Sequence, residues 1–242
     1  MNLLRGSENM EYNILIIEDD LGLARAILDI LNKYNFNSKI LEDFKNIESV
    51  VKEKEYDLII LDINLPYYDG FYWCRKIRKI TLIPIIIISS RDTNMDQIMA
   101  LEYGADDYII KPFDSEILIA KIKSFLRRSY GELSVGMENK LLKIGFVNLD
   151  SHRQQILFKD KKIYLSFTEN KILKKLFEEY PNSVSRSELI FEAWDENSFV
   201  EENTLNVNIR RIRNKIQENK LPIAVRTIRS FGYQLILKEE NQ

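Results

Sequence analysis

The stretch YDLIILDINLPYYDG, residues 56–70, decides the predicted fold of the chain. Residues 58–61 are four consecutive apolar residues, a run typical of a strand buried on both faces of a parallel sheet. The run ends in Asp62, and the following Leu65-Pro66 cannot continue a central strand. Open α/β sheets bind their ligands at the carboxyl ends of the strands, so Asp62 is a candidate site residue.

Strand-like and helix-like segments alternate five times in the first half of the chain. The strands are predicted at residues 14–17, 39–41, 58–61, 84–88 and 108–110, and the helices at 21–34, 44–54, 71–79, 95–103 and 115–127. This alternation predicts an α/β fold, a doubly wound parallel (βα)5 domain over residues 10–128.

Polar side chains stand at the ends of four of these strands. Glu18 and Asp19 follow the first strand, Asp62 ends the third, Ser89 the fourth and Lys111 the fifth. Three carboxylates at one edge repel each other unless a cation lies among them, and Mg²⁺ prefers such oxygen ligands. Lysine and serine side chains can bind phosphoryl oxygens. The set therefore predicts metal-assisted phosphoryl transfer onto Asp62, whose carboxylate is already ionised, to form an acyl phosphate.

Each of these residues has a simpler interpretation when taken alone. The acidic run after the first strand also suits a helix N-terminus, and Asp20 remains open between a third acid near the metal and an N-cap. Ser89 could be an ordinary strand-end hydroxyl, and Lys111-Pro112 an ordinary turn. Their joint occurrence in one topological order favours the functional interpretation.

Composition excludes several classes of protein. The 242 residues are 45% hydrophobic and 30% charged, which is typical of two globular domains. One cysteine, Cys74, and one histidine, His152, exclude an internal disulfide, zinc cages and Cys/His dyads. No apolar run reaches the length of a membrane span and no signal pattern is present, so we expect a cytoplasmic protein. Residues 1–9 are interpreted as an upstream start or an expression remnant.

The net charge of −2 is unevenly distributed. Residues 1–128 contain 17 basic and 21 acidic side chains, whereas residues 203–233 contain seven basic side chains and one acidic. A basic segment in an acidic protein indicates a surface for a polyanion.

The second half predicts a smaller α+β domain at residues 140–238, after a linker at 129–139. Short strands over 141–165, with a turn at 160–161, precede a helix from about Thr168 to Tyr180. Thr168 is predicted as its N-cap, without a capping box because Lys171 stands three residues on. Ser185 and Glu188 fit a capping box better than Thr168 and Lys171 do, and we predict that they begin the next helix. Residues 195–202 are predicted to form an acidic loop.

The residue pattern of 203–218 predicts an amphipathic helix that binds DNA. Leu205, Ile209, Ile212 and Ile216 form one apolar stripe, while asparagine and arginine occupy the other faces. Arginine reads guanine and asparagine reads adenine in the major groove. A basic hairpin follows over 225–237, with a tight turn at Gly232, which predicts a winged helix-turn-helix arrangement.

The first domain resembles response-regulator receiver domains, through ILIIEDD, LDINLPYYDG, IIIISSRD and DDYIIKPF. The resemblance implies that Asp62 is the phosphoacceptor and that Glu18, Asp19, Asp62 and the backbone carbonyl of Asn64 hold Mg²⁺. It further implies Ser89 and Tyr108 as switch residues, Lys111 as the phosphoryl-contacting lysine, and a cis Lys111-Pro112 bond. Ser89 stands where threonine is common.

The second domain resembles the effector domain of OmpR/PhoB-type regulators, through LSFTENKIL, SRSELI, NTLNVNIRRIRNKI and VRTIRSFGYQL. The resemblance implies base contacts by Val207 and Arg211. It implies phosphate contacts by Asn203, Asn208, Arg210 and Arg213, and wing contacts by Thr227 and Arg229. Ser230 stands where glycine is usual. Residues 89–108 and 203–213 resemble most closely the regulators of antimicrobial-peptide and bacitracin resistance.

The receiver resemblance also implies a dimer when phosphorylated. The charged residues at the corresponding surface are Glu102, Asp106, Asp107, Lys121, Lys123 and Arg128. Exposed charge pairs are often worth little, so a set of solvated helix faces is the simpler alternative.

Three hypotheses follow from these observations. The first is a two-component transcription factor that a sensor histidine kinase phosphorylates on Asp62, with DNA and RNA polymerase as further partners. It has no enzymatic activity beyond phosphotransfer to its own aspartate and autodephosphorylation. The second is a constitutive DNA-binding protein with a structural receiver, against which the intact acid–lysine set argues. The third is a phosphatase-type enzyme with a transient aspartyl phosphate, which the DNA-binding half disfavours.

Overall fold

The computed structural model describes residues 12–53, 55–130, 141–194 and 202–238, and at 128–130 and 202 it describes the backbone alone. The first domain alternates strands and helices. They are β1 Asn13–Ile17, α1 Leu21–Lys33, β2 Asn37–Ile40, α2 Ile47–Glu53, β3 Leu58–Asp62, α3 Gly70–Arg78, β4 Ile85–Ser89, α4 Asn94–Glu102, β5 Asp107–Ile110 and α5 Ser115–Tyr130.

The five strands form one parallel sheet in the order β2-β1-β3-β4-β5. Every residue of β3 and β4 is buried, as expected for apolar strands covered by helices on both faces. The order changes direction beside β1, and the carboxyl ends of β1, β3, β4 and β5 lie along one edge. The doubly wound (βα)5 prediction is confirmed.

In its described residues, the second domain combines two antiparallel sheets with three helices. A four-stranded sheet contains β6 Leu142–Ile144, β7 Val147–Asp150, β8 Gln155–Phe158 and β9 Lys161–Tyr164. Helix α6 Phe167–Glu178 follows, then β10 Ser183–Ser185, α7 Arg186–Trp194 and α8 Glu202–Glu218. The hairpin β11 Ile223–Ile228 and β12 Gly232–Leu237 pairs with β10 in a three-stranded sheet. The winged-helix prediction is confirmed.

The predicted start of α6 was wrong. Its N-cap is Ser166, whose hydroxyl accepts from the backbone N–H of Glu169 while the Glu169 carboxylate accepts from the backbone N–H of Ser166. A capping box therefore forms two residues before Thr168. The box of Ser185 and Glu188 is confirmed by the same reciprocal bonds.

Smaller differences concern boundaries. The turn between β8 and β9 lies at 159–160, one residue before its predicted place, and Lys159 adopts a positive φ of 52° there. Helix α5 continues to Tyr130, two residues into the predicted linker. The rest of that linker and residues 195–201 of the acidic loop lie outside the described residues, as do residues 1–9.

The two domains pack closely against each other. One apolar cluster runs from β1 of the first domain to Trp194 of the second, and helix α4 lies against helix α8. The rings of Phe125 in α5 and Phe167 in α6 meet edge to face, with centroids 5.7 Å apart. Across the described ranges, we find no helix with the length and hydropathy needed to cross a bilayer.

Candidate functional site

Three carboxylates and one ammonium group meet at the carboxyl edge of the parallel sheet. One carboxylate oxygen each of Glu18, Asp19 and Asp62 lies within 4.8 Å of the others. The Lys111 Nζ lies 2.7 Å from Glu18 Oε2 and 3.2 Å from Asp62 Oδ2. Glu18 and Asp62 are buried, whereas Asp19 is exposed. The sequence-predicted groups from β1, β3 and β5 therefore form one pocket.

The chemistry of this pocket fits a hard divalent cation. All three acidic side chains offer oxygen, and Lys111 alone does not balance their charge. Burial is the main cause that raises the pKa of Glu18 above its ordinary value, while Lys111 lowers it and Asp62 raises it further. A cation that binds Glu18, Asp19 and Asp62 relieves this repulsion.

Asp20 is an N-cap, the second of the two roles predicted for it, and not a third acid near the metal. Its side chain is exposed and accepts from the backbone N–H groups of Gly22 and Leu23, so it is the N-cap of α1. The acidic set of the pocket does not include it.

Gly70 allows the close approach of α3 to the end of β3. A Cβ added at Gly70 would lie 2.1 Å from the carbonyl oxygen of Asp62 and 2.6 Å from the Cα of Ile63. The Gly70 N–H donates to the Ile63 carbonyl, and Asp69 caps α3 through the N–H of Tyr72. Only glycine fits here without moving the backbone that presents Asp62.

The two predicted switch residues meet at the loop after β4. The buried Ser89 hydroxyl accepts from the backbone N–H of Arg91, and the Tyr108 hydroxyl donates to the Arg91 carbonyl at 2.6 Å. The Arg91 side chain bonds to the side-chain oxygen of Asn64 and lies 3.7 Å from Asp96 of α4. This loop therefore connects the pocket to α4. The Lys111-Pro112 bond is cis, as predicted.

Helix α8 and the hairpin β11–β12 form the candidate nucleic-acid interface. Asn203, Thr227 and Arg229 are exposed, and the Arg210 guanidinium is exposed although it lies 3.4 Å from Glu102 of α4. Arg213 donates to the Val225 carbonyl and the Thr227 hydroxyl, at 2.9 and 2.7 Å, and so connects the helix to the wing.

The remaining predicted DNA-binding residues are covered in this conformation. Val207 is 7% exposed and belongs to the apolar cluster of the first domain, and Asn208 is fully buried. Arg211 is 8% exposed, and one of its guanidinium nitrogens donates to the Ala105 carbonyl at 3.3 Å. The two residues expected at base edges therefore face the first domain, which the pattern of α8 did not indicate.

Glu169 of α6 is the main partner of the covered arginine. Its carboxylate lies 3.1 Å from Arg211 Nε, also binds the Lys215 ammonium, and is completely buried. Burial alone would raise the pKa of Glu169, but Arg211 and Lys215 outweigh it and hold this pKa at about 2. Glu169 was not predicted as a site residue, although Ser166 and Glu169 have the spacing of a capping box.

The predicted dimer residues make contacts within this chain. Asp107 and Lys121 form a buried pair at 2.7 Å, and Lys123 lies 4.4 Å from the ring centroid of Tyr34. Asp106, which was expected on a charged surface, is instead completely buried and binds Arg78. The side chain of Arg128 is outside the described residues.

Asp106 also forms hydrogen bonds with the second domain. Its carboxylate accepts from the backbone N–H of Thr168 in the first turn of α6, at 3.3 Å. Its carbonyl accepts from the indole N–H of Trp194 at 3.1 Å, and the Ser124 hydroxyl of α5 donates to the Trp194 carbonyl at 2.9 Å. These contacts join residues far apart in sequence, and no local pattern predicts them.

A phosphoacceptor-type pocket on a doubly wound sheet, joined to a winged helix, defines the class of DNA-binding response regulators. Residues 14–123 match the family Response regulator receiver domain, and residues 160–235 match Transcriptional regulatory protein, C terminal. The chain belongs to this family, with the domain combination of the OmpR/PhoB type, and is a transcriptional regulator of a two-component system.

Similar proteins match almost the whole chain. Transcriptional regulatory protein YxdJ of Bacillus subtilis is 42% identical over 92% of this chain and 97% of its own length. Response regulator protein GraR of Staphylococcus aureus is 40% identical over 91% of this chain and 97% of its own. Among solved structures, a RitR mutant has the same fold, with a TM-score of 0.79 and 23% identity over 93% of this chain and 99% of that one.

Proposed function

We propose that a sensor histidine kinase phosphorylates Asp62 and that this modification controls DNA binding by α8 and the wing. The observation that carries the proposal is the position of Lys111, whose ammonium lies 2.7 Å from Glu18 and 3.2 Å from Asp62. A half-buried lysine between two strand-end acids provides a fixed positive charge where phosphoryl oxygens would lie.

The proposed reaction is transfer of a phosphoryl group from a phosphohistidine of the kinase. An Asp62 carboxylate oxygen attacks phosphorus, the phosphorus–nitrogen bond breaks, and an acyl phosphate forms. Lys111 binds a phosphoryl oxygen, and the Ser89 hydroxyl turns to donate to another. Glu18, Asp19, Asp62 and the Asn64 carbonyl would hold Mg²⁺, which would offset the negative charge of the phosphoryl oxygens. Attack of water on phosphorus later releases inorganic phosphate.

We assign base contacts to Val207 and Arg211. We assign backbone and wing contacts to Asn203, Asn208, Arg210, Arg213, Thr227 and Arg229. The exposed positions of Arg210 and Arg229 support this assignment, since phosphate contacts need accessible charge. These contacts make DNA affinity fall steeply with salt.

Phosphorylation is proposed to favour a homodimer, with RNA polymerase as a further partner. The dimer uses the charged residues of α4, β5 and α5, including Asp107 and Lys121. The regulated response is proposed to concern antimicrobial peptides and the cell envelope, because residues 89–108 and 203–213 resemble regulators of that kind. The proposed compartment is the cytoplasm.

Incubation with a small phosphodonor and Mg²⁺ tests the assignment. We expect wild-type protein to gain the mass of one phosphoryl group and Asp62→Asn to gain none. Asp92→Asn is the matched control, because Asp92 is an exposed acid in the loop after β4, and it should gain phosphate like wild type. Retention of phosphate by Asp62→Asn contradicts the assignment. DNA affinity that ignores phosphorylation supports the constitutive alternative instead.

A further inference from the structure

The tip of the wing carries an exposed aromatic ring. The turn between β11 and β12 consists of Arg229, Ser230 and Phe231, and Phe231 is 45% exposed. We propose that Phe231 is a specificity-determining residue that packs into the minor groove of DNA and selects base pairs without an amino group there. This inference rests on the proposed contacts of α8 and the wing with DNA, and it adds what the tip of the wing reads.

Hydrogen bonds fix the backbone on both sides of this ring. The Phe231 N–H donates to the Ile228 carbonyl at 3.1 Å, and the Phe231 carbonyl accepts from the backbone N–H of Arg186 at 3.1 Å. The next residue, Gly232, lies so close to β10 that an added Cβ would be 2.0 Å from the Val184 carbonyl oxygen. The turn is therefore held in place before DNA arrives, so little backbone entropy is lost when the ring binds.

Ser230 restricts the turn further. Its φ is 57°, in the left-handed region that favours glycine. A serine has fewer accessible backbone conformations than a glycine, so this turn is stiffer than one with glycine at the same position. The turn thus has little freedom to draw Phe231 back onto the hairpin.

Three hydrogen bonds set the position of the wing beside α8. Arg213 of α8 donates to the Val225 carbonyl and the Thr227 hydroxyl of β11. The Tyr233 hydroxyl of β12 donates to the Asn206 side chain of α8 at 2.8 Å. With α8 in a major groove, a hairpin attached along this helix meets the neighbouring sugar–phosphate backbone and the minor groove beyond it. The tip of the hairpin is the part that enters that groove.

The charge of the hairpin suits the same groove. Residues 223–237 contain two arginines and no acidic residue, and both Arg226 and Arg229 are exposed. Narrow minor grooves, which A·T-rich DNA favours, have a strongly negative potential that attracts arginine. Since Arg229 and Phe231 share one turn, arginine supplies the attraction to the groove and the ring supplies the discrimination between base pairs.

A phenyl ring discriminates between base pairs by what it cannot bind. In the minor groove a G·C pair presents the guanine amino group, whereas an A·T pair presents acceptors alone. The amino group projects into the groove, and the ring has no acceptor for it, so packing there strips a donor of water without compensation. Apolar side chains also wedge between base steps in this groove, and TA steps unstack easily. Phe231 is therefore expected to favour A·T-rich sequence.

Inosine isolates this contact. An inosine·cytosine pair has the major-groove pattern of G·C but lacks the amino group, so it resembles A·T in the minor groove. The affinity ratio between alternating I·C and alternating G·C duplexes, of equal length and at fixed salt, therefore reports minor-groove contact. It is measured by fluorescence anisotropy on the full chain, with and without a small phosphodonor. The ratio is compared within each condition, so it does not depend on whether phosphorylation controls binding.

Phe231→Ala removes the ring, and Phe146→Ala is the matched control. Phe146 is 77% exposed in the turn between β6 and β7, which belong to the other sheet of the same domain. Phe231→Leu keeps an apolar side chain at the tip. Because both phenylalanines are exposed, the urea midpoint of each variant should equal that of wild type, which verifies that the domain is folded.

We expect wild type, Phe146→Ala and Phe231→Leu to prefer I·C over G·C by about tenfold, a size typical of one discriminated base pair. Phe231→Ala should lose most of this preference through weaker binding to I·C. The inference is overturned if Phe231→Ala keeps the wild-type ratio, if Phe146→Ala loses the preference equally, or if wild type has no preference.

Arg229→Ala separates failure of this inference from failure of the proposed function. It should weaken binding to both duplexes, because it removes an exposed charge from the wing. If it does so while Phe231→Ala keeps the wild-type ratio, the inference about Phe231 is wrong and the proposed DNA contacts stand. If wild type binds neither duplex, with or without phosphodonor, both are wrong.

Discussion

Replacement of Glu169 by glutamine tests how far one buried carboxylate stabilises the effector domain. Glu169 is fully buried between Arg211 and Lys215, and its pKa falls from 4.5 to about 2 in the folded protein. Since each pKa unit is worth about 1.4 kcal/mol, the ionised carboxylate stabilises the fold by roughly 3 kcal/mol. Removal of one partner from a buried ion pair commonly costs about 3–5 kcal/mol, which agrees in size.

The loss should depend on pH with a defined sign. The folded-state pKa of Glu169 is depressed, so its stabilisation is fully present above about pH 4.5 and disappears as the pH falls towards about 2. The free energy of unfolding of Glu169→Gln should therefore lie below wild type near neutral pH and approach it in acid. Urea unfolding followed by Trp194 fluorescence, in a Trp73→Phe background that removes the other tryptophan, measures this difference across the pH range.

Glu188→Gln is the matched control. Glu188 occupies the same position in the other capping box, but it is exposed and its hydrogen bonds are to Ser185 of its own box. We expect a much smaller loss of stability from this variant. Equal losses for the two variants, or a loss at Glu169 that does not change between neutral and acid pH, would refute the ion-pair argument.

Three further outcomes follow from the geometry. Gly70→Ala should lower the melting temperature and slow phosphoryl uptake by Asp62, because its Cβ would lie 2.1 Å from the Asp62 carbonyl oxygen; uptake at the wild-type rate would contradict this. Lys111→Gln should slow uptake measured by mass while DNA binding without phosphodonor stays unchanged, since the Lys111 ammonium contacts Glu18 and Asp62 in the pocket. Tyr233→Phe should lose the 2.8 Å bond to Asn206 and cost about 1 kcal/mol in chemical unfolding; an unchanged midpoint would argue against that bond.

Most of the receiver could be predicted from the sequence, because its strands and site residues lie in short continuous stretches that can be recognised one at a time. Continuous apolar runs marked the strands, and the parallel arrangement then brought Glu18, Asp62 and Lys111 to one edge without further assumption. Element boundaries were less certain. Helix α6 begins at Phe167 because Ser166, rather than Thr168, has a glutamate three residues on.

Burial of the face of α8 that is proposed to read DNA could not be predicted from the sequence of this helix. Its apolar stripe indicates which side packs in its own domain, and Leu205 and Ile209 do so. Burial of Arg211 depends on a backbone carbonyl of Ala105, more than a hundred residues earlier. A carbonyl has no sequence signature, and neither does the hydrogen bond from Trp194 to Asp106.

The double attachment of Arg211 has a consequence for how such regulators diverge after gene duplication. A copy that substitutes Arg211, the proposed base contact, also loses the contacts of this residue to Ala105 and Glu169. A change of base preference at this position would therefore also weaken the packing of α8 against the receiver. The packing of α8 on the receiver would be kept only if the α4–β5 turn changed along with Arg211, so we expect the two domains to evolve as a pair.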